Sequence, residues 1–262
     1  MSRASDAVRT VAEAAGLAWD EASLWAMGVW RRAAGLREAL AAQAERTRRS
    51  PLAWGTLYVA IFCLLSITLI DRPLALWLKA HVHGDVQGFF RVVTNLGRAE
   101  FYLVPAGLAW LAAVLRARRT PDPARRRRLR EWSWRPAFLF LAIAVSGILG
   151  TLVKVAAGRA RPRMLFDQGI YGLHPFTHDW AMNSFPSGHS QAAWAAMTAL
   201  VVLVPRYDLL WLLIAVLVAA SRVALTVHYL GDVVAGSWLG LSVTILLARM
   251  LGRRGHSIHS PL

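Results

Sequence analysis

Ser221-Arg222-Val223-Ala224-Leu225-Thr226-Val227-His228-Tyr229-Leu230-Gly231-Asp232 closes an apolar segment that begins near Leu209. An arginine, a histidine and an aspartate in such a segment are costly in lipid, so each calls for a partner and a task. Read as one helix, the stretch puts His228 and Asp232 four residues apart on one face. Asp232 then accepts a hydrogen bond from one ring nitrogen of His228 and leaves the other for chemistry. Arg222 stands six residues below, about 9 Å along a helix at about 1.5 Å per residue, so its side chain has to reach upward. Taken alone, the stretch also describes a polar seam that satisfies itself between helices.

The surroundings are those of a membrane protein. The chain has 262 residues, is 56% apolar and carries a formal charge of +15. Several of its apolar runs reach bilayer-spanning length, which a soluble basic protein would not carry. Ala53 to Ile70 reads as a first span ended by Asp71-Arg72-Pro73, and residues 74–99 as an interfacial or re-entrant segment. Further spans follow over Phe101 to Leu115, Pro136 to Ala157, His189 to Val204, Leu209 to Tyr229 and Val233 to Leu251. The linker between the second and third carries the arginine run Arg125 to Arg128 and is punctuated by proline.

Orientation follows from where the basic residues lie. Residues 1–50 hold eight arginines and residues 116–135 nine, with Arg206, Arg249, Arg253 and Arg254 on the same side; nine basic residues are left for everything else. The expectation is an all-α polytopic membrane protein, a bundle of six transmembrane helices with both termini cytoplasmic. Residues 1–50 form a cytoplasmic amphipathic helical arm, 51–252 the six-span domain and 253–262 a cytoplasmic tail. Trp19, Trp25 and Trp30 beside Arg31 and Arg32 suit a helix lying on the membrane surface, and a solvated or partner-docking helix fits them equally. The arginine runs face anionic lipid at the cytoplasmic surface. No aromatic platform is interleaved with them, so nucleic acid is not an expected partner. Cys63 is the sole cysteine and lies mid-span, which rules out an intramolecular disulfide.

With this topology three unusual stretches fall on the outer side. The third span closes with Lys154 and, seven residues on, Arg161-Pro162. Seven residues are two turns, hence one helix face. Lysine offers a compact charge and arginine a planar fork matched to phosphate oxygens. Arg159 and Arg163 read as headgroup snorkellers. Before the fourth span comes Pro186-Ser187-Gly188-His189, a helix start whose free N–H groups favour an anion. As a four-residue string it equally describes a loop in which Ser187 merely caps the helix. The third stretch is the one quoted at the outset.

Together the three supply what phosphoryl transfer needs: neutralised equatorial oxygens and an in-line nucleophile and leaving group. In this reading His228 attacks phosphorus, Asp232 fixes its tautomer and His189 protonates the leaving oxygen before activating water. Lys154, Arg161, Arg222, Ser187 and Gly188 bind the transferring group. Outer carboxylates such as Asp71, Asp85, Glu100, Asp167 and Asp179 are scattered along the chain, so neither a metal nor another cofactor is expected.

Lys-x6-Arg-Pro, Pro-Ser-Gly-His and Ser-Arg-x5-His-x3-Asp, in this order, resemble the tripartite signature of the type-2 phosphatidic acid phosphatase family. The matching positions are Lys154, Arg161, Pro162, Pro186, Ser187, Gly188, His189, Ser221, Arg222, His228 and Asp232. The likeness covers roughly residues 53–250 and leaves out 1–50. It implies a six-span, metal-independent, vanadate-sensitive lipid phosphatase of a bacterial inner membrane, with its site facing the periplasm. Undecaprenyl diphosphate, phosphatidylglycerol phosphate, phosphatidate and lipid A are the candidate substrates, and the sequence does not rank them. Transfer of the phosphoryl group to another lipid is the rival within enzyme chemistry. A non-catalytic carrier of lipid phosphates is the rival outside it.

Overall fold

The computed structural model of the chain describes residues 41–177 and 179–254. Most of the expected N-terminal arm, His178 and the end of the tail lie outside the described residues. Of the described residues 84% are helical. The described residues up to Gly55 and those from Thr56 onward fall into two compact units. In the first, residues 41–49 are helical. The second holds the chain from Thr56 on.

Helix α1 (Pro51–Leu65), a π-turn (Ser66–Ile70) and α2 (Asp71–His81) run on as one helical stretch. Asp71-Arg72-Pro73 therefore does not end the first helix, contrary to the sequence expectation. Pro73 has no N–H to give. The chain accommodates it by widening just before: the Asp71 N–H reaches back five residues to the Ser66 carbonyl. A turn of this width brings residues five apart onto one face, and Ser66 Oγ donates to Asp71 Oδ1 at 2.7 Å.

The 74–99 segment is helical too, with α3 (Gly84–Val93) and a 3-10 turn (Thr94–Gly97) leading into α4 (Glu100–Arg119). Helix α5 (Pro123–Ala157) starts well before the expected Pro136. Asp122 accepts from the N–H groups of Ala124 and Arg125, and Pro123 occupies the first turn where its missing N–H is harmless. Arg125 to Arg128 thus open a helix and are not linker. Its 35 residues extend about 52 Å at about 1.5 Å each, beyond the ~30 Å hydrocarbon core. Gly158, with φ of 54°, ends it in the left-handed conformation, where a side chain would meet the His174 backbone.

After α5 come a short α6 (Pro162–Gln168), α7 (Gly188–Leu203), α8 (Asp208–Ala224) and α9 (Leu230–Arg253). Pro162 opens α6, where the sequence reading had it only leaving the third span. Among the described residues, five helical stretches are long and apolar enough to cross a membrane: Pro51–His81, Gly84–Arg119, Pro123–Ala157, Pro205–Ala224 and Leu230–Arg253. Leu64, Leu69, Leu108, Ile148, Leu152 and Leu209 on these helices are exposed, the pattern of surfaces that face lipid.

Helix α7, at 16 residues, is shorter and sits at the centre, packed on α5, α8 and α9. It is built for close approach. Ala192, Ala193, Ala195, Ala196 and Ala199 are all buried. Across from them α9 presents Gly236 and Gly240, where a Cβ would run into the carbonyls of Ser187 and Gln191. Small residues four apart let two helix backbones touch, as in other lipid-embedded pairs. That contact clamps the start of α7 to the start of α9.

Candidate active site

The three motif stretches meet at residues 183–187, which precede α7. The Asn183 carbonyl accepts from Lys154 Nζ at 3.4 Å and from Arg161 Nη2 at 3.3 Å. Lys154 also donates to the Pro186 carbonyl. Ser184 Oγ donates to Asp232 Oδ2 at 2.6 Å and lies 3.4 Å from His228 Nδ1. The Ser187 N–H donates to the Asp232 carbonyl at 2.9 Å.

Several of these arrangements differ from the sequence expectation. Helix α5 stops at Ala157, so Lys154 and Arg161 share no helix face; a shared carbonyl brings them together. Arg161 lies flat over Trp180, its guanidinium carbon 4.0 Å from the ring centre, and Nε donates to the Trp180 carbonyl. Burial holds its pKa below the usual arginine range, with Asp232 pulling the other way. The Ser187 N–H is not free for an anion, because Asp232 takes it. Gly188 and His189 remain, as the first residues of α7, where no carbonyl of a preceding turn reaches their N–H groups.

The quoted stretch is not one helix either. Helix α8 ends at Ala224, Thr226 takes a positive φ of 51°, and His228 stands in the loop between α8 and α9. Asp232 is in the first turn of α9, where its carboxylate accepts the Tyr229 N–H at 2.9 Å. His228 Nδ1 and Asp232 Oδ2 are 3.6 Å apart, longer than a hydrogen bond. Ser184 stands between them. Its one hydroxyl proton goes to Asp232, so its oxygen is left to accept from Nδ1–H. The proton then sits on Nδ1 and the lone pair on Nε2. His228 is buried, and burial pushes its pKa down to about 4 against the pull of Asp232.

Arg222 is buried beneath this loop; its Nη1 donates to Thr94 Oγ1 at 2.6 Å, while Nε is buried without a partner. Lys154, Ser187, Gly188 and His189 line one end of a cavity of about 600 Å³. Leu103, Ile143, Ala144 and Ile148 make its apolar wall, between α4 and α5. His228 does not line it and sits behind the 183–187 segment.

Two charged residues were missed. Arg159, read from the sequence as a headgroup snorkeller, is fully buried. Its Nη1 donates to Asp232 Oδ1 at 2.6 Å and its Nη2 to Asp71 Oδ2 at 2.7 Å. Burial works against its charge, but Asp232 and Asp71 outweigh that and raise its pKa. Asp71 is therefore not one of a set of scattered outer carboxylates. The rule that flagged Arg222 also applies to it, a charge at the end of twenty-one residues without one. The stretch from Leu165 to Phe176 packs beside this cluster: Leu165 lies against Ala75 and Tyr229, and Tyr171 stacks edge-on to Tyr229.

The profile of the PAP2 superfamily matches residues 135–256. A lipid A 1-phosphatase from Rhizobium johnstonii is 31% identical over 216 residues, covering 78% of this chain and 87% of that protein. The lipid A 1-phosphatase of Rhizobium etli is 30% identical over 205 residues, 76% of this chain and 87% of the relative. An undecaprenyl-diphosphatase from Sulfolobus acidocaldarius is 32% identical over 109 residues, 41% of this chain and 51% of its own. Among solved structures, a transmembrane PAP2-type phosphatidylglycerolphosphate phosphatase from Bacillus subtilis shares the fold. It aligns with a TM-score of 0.57 at 22% identity, over 77% of this chain and 96% of that one.

Proposed function

From the premise that the chain belongs to the PAP2 superfamily, a family of membrane lipid phosphatases among its relatives here, we propose that it hydrolyses a lipid phosphomonoester or diphosphate through a phosphohistidine. The observation that carries this reading is the 183–187 segment, whose backbone and hydroxyl groups touch Lys154, Arg161, His228 and Asp232 at once. His228 Nε2 attacks phosphorus, the N–P bond forms as the P–O bond to the leaving group breaks, and His189 gives the departing oxygen its proton. The imidazole keeps its Nδ1 proton and becomes cationic, facing Ser184 and Asp232. His189 then takes a proton from water, which attacks phosphorus and frees the ring. Lys154, Arg161, the orphaned Nε of Arg222 and the N–H groups of Gly188 and His189 hold the phosphoryl oxygens. Ser187 stands just before α7, its N–H tied to Asp232 and its hydroxyl accepting from Ser190 Oγ at 3.0 Å.

No step in this scheme calls for a metal. Lipid A carrying a 1-phosphate heads the candidate substrates, because the relatives that act on it match along most of their length. Undecaprenyl diphosphate, phosphatidylglycerol phosphate and phosphatidate follow. We place α7 as a sixth span in a bacterial inner membrane, with the Arg116–Arg128 end toward cytoplasmic anionic lipid and the site toward the periplasm. The arginine counts support that orientation. A single cysteine at Thr120 or at Phe176, in a Cys63→Ala background, tests it by impermeant labelling of intact cells; labelling at Thr120 alone would reverse it.

The deciding assay offers purified protein in detergent, with EDTA, a panel of these four lipids and reads free phosphate. Release from at least one, abolished in His228→Ala, is the expected result. Survival of release in His228→Ala would end the covalent scheme. Dephosphorylation without free phosphate would make the enzyme a transferase.

A further inference from the structure

We infer that Asp71 is a positioning residue of this site: through Arg159 it sets the charge that Asp232 presents to His228. The inference rests on the phosphohistidine reading above and adds a residue to it. Arg159 bridges two carboxylates with separate nitrogens, Asp232 at 2.6 Å and Asp71 at 2.7 Å, and all three side chains are shut off from solvent. Asp71 is fully committed: Oδ1 accepts from Ser66 Oγ at 2.7 Å and from the Gly231 N–H at 3.0 Å. The guanidinium lies over the Tyr229 ring, 4.4 Å from its centre, and Nη2 also reaches the Tyr171 hydroxyl at 3.3 Å.

Charge balance gives the arrangement a purpose. An Arg159–Asp232 pair alone would sum to zero and offer little to a ring that becomes cationic on attack. With Asp71 sharing the guanidinium, the three groups carry one net negative charge. When His228 takes the phosphoryl group its ring gains one positive charge, and the four groups become neutral together. In a site closed to solvent such a match is worth more than it would be in water. The π-turn is what delivers Asp71, since it sets Ser66 and Asp71 on one face and points them at the start of α9.

The test is the pH profile of phosphate release from lipid A 1-phosphate in mixed micelles. The groups that bear on His228 are Asp232, Ser184, Arg161 and Arg222; those on Asp232 are Arg159, Ser184 and Lys154, with Cys63 donating to the neighbouring Gly231 carbonyl. Asp71→Asn removes a negative charge, so the acidic limb of kcat moves to lower pH by about half a unit or more. Its kcat falls ten-fold or more while KM stays within about two-fold. Arg159→Gln moves the limb the opposite way, and the double variant, which again leaves one net negative charge on Asp232, returns the limb to the wild-type position and recovers most of the kcat lost in Asp71→Asn. A purely structural role lowers kcat at every pH and leaves the limb in place.

An unmoved limb in Asp71→Asn overturns the inference. Should that variant not fold, the double variant decides, because it replaces Asp71 and Arg159 with neutral amides and keeps the net charge; a limb displaced from its wild-type position there overturns the inference equally. His228→Ala is the control for the underlying scheme. Activity surviving in it removes scheme and inference together, whereas its loss beside a normal Asp71→Asn removes the inference alone.

Discussion

The backbone N–H of Ser187 donates to the backbone carbonyl of Asp232 at 2.9 Å, which ties the turn before α7 directly to the residue whose carboxylate faces His228. The bond exists because α7 and α9 touch backbone to backbone at Gly236 and Gly240. A methyl group at Gly240 would press on the Gln191 carbonyl and on the Ala195 amide nitrogen, neither of which is a flexible side chain. Gly240→Ala should therefore destabilise the protein by about 1–3 kcal/mol, the range for overpacking a close contact. Gly240→Val should also cut phosphate release sharply. Thermal unfolding in detergent and the lipid phosphatase assay measure both, and an unchanged Tm in Gly240→Val would show that the helices have room.

Ser184 gives a second prediction. Its hydroxyl stands between Asp232 and His228, and its proton is spent on the carboxylate. Ser184→Ala leaves Nδ1 only the Asp232 carboxylate at 3.6 Å and leaves Asp232 short of a donor. A buried hydrogen bond to a charged group is worth about 1.5–3 kcal/mol, so kcat should fall about ten- to a hundred-fold. KM should hardly move, because Ser184 touches no part of the substrate in this scheme. A rise in KM at constant kcat would place the hydroxyl on the substrate instead.

The acid side of the pH profile follows from the burial of His228. Attack needs the neutral imidazole, and its pKa is pushed down to about 4. The acid limb that His228 sets should therefore fall through about pH 4. Stability carries the same sign. The unfolded chain binds a proton near the ordinary histidine pKa of about 6.5, which the folded chain excludes. The His228 contribution is thus fully present above about 6.5 and lost as pH drops toward 4. Tm measured over that window should fall more steeply for the wild type than for His228→Ala; parallel curves would contradict it.

How far the sequence carried this reading depends on what kind of signal each residue left. Spacing within apolar runs located α4, α7 and α9 to within a few residues, since hydrophobic segments have to match the bilayer. Helix ends were harder. Asp122 capping moved the start of α5 back by thirteen residues, and the π-turn at Ser66–Ile70 carried the first helix past a proline that normally marks an end. The break after Ala224 could not be seen at all, because Leu225 to Val227 suit a helix by composition. The site's motif residues were legible because charges in lipid stand out. Arg159 was misread because a span end is where snorkelling is ordinary. Asp71 was misread because its partner lies 88 positions away and no local pattern links them.

The cavity wall supplies the last prediction. About 600 Å³ of space runs from Lys154 and His189 to an apolar face made by Leu103, Ile143, Ala144 and Ile148, between two helices whose outer surfaces face lipid. If the hydrocarbon part of the substrate lies against this face, a bulky side chain there should penalise long-chain lipids only. Ala144→Trp that displaces about 60 Å² of chain contact would lose about 1.5 kcal/mol at about 25 cal/mol per Å², roughly ten-fold in KM. Turnover of a short, water-soluble phosphate ester should stay within about two-fold, since the phosphoryl site lies at the other end of the cavity. An equal loss for both substrates would mean that the tryptophan had disturbed α7 and the 183–187 segment, and that the chain of the lipid runs elsewhere.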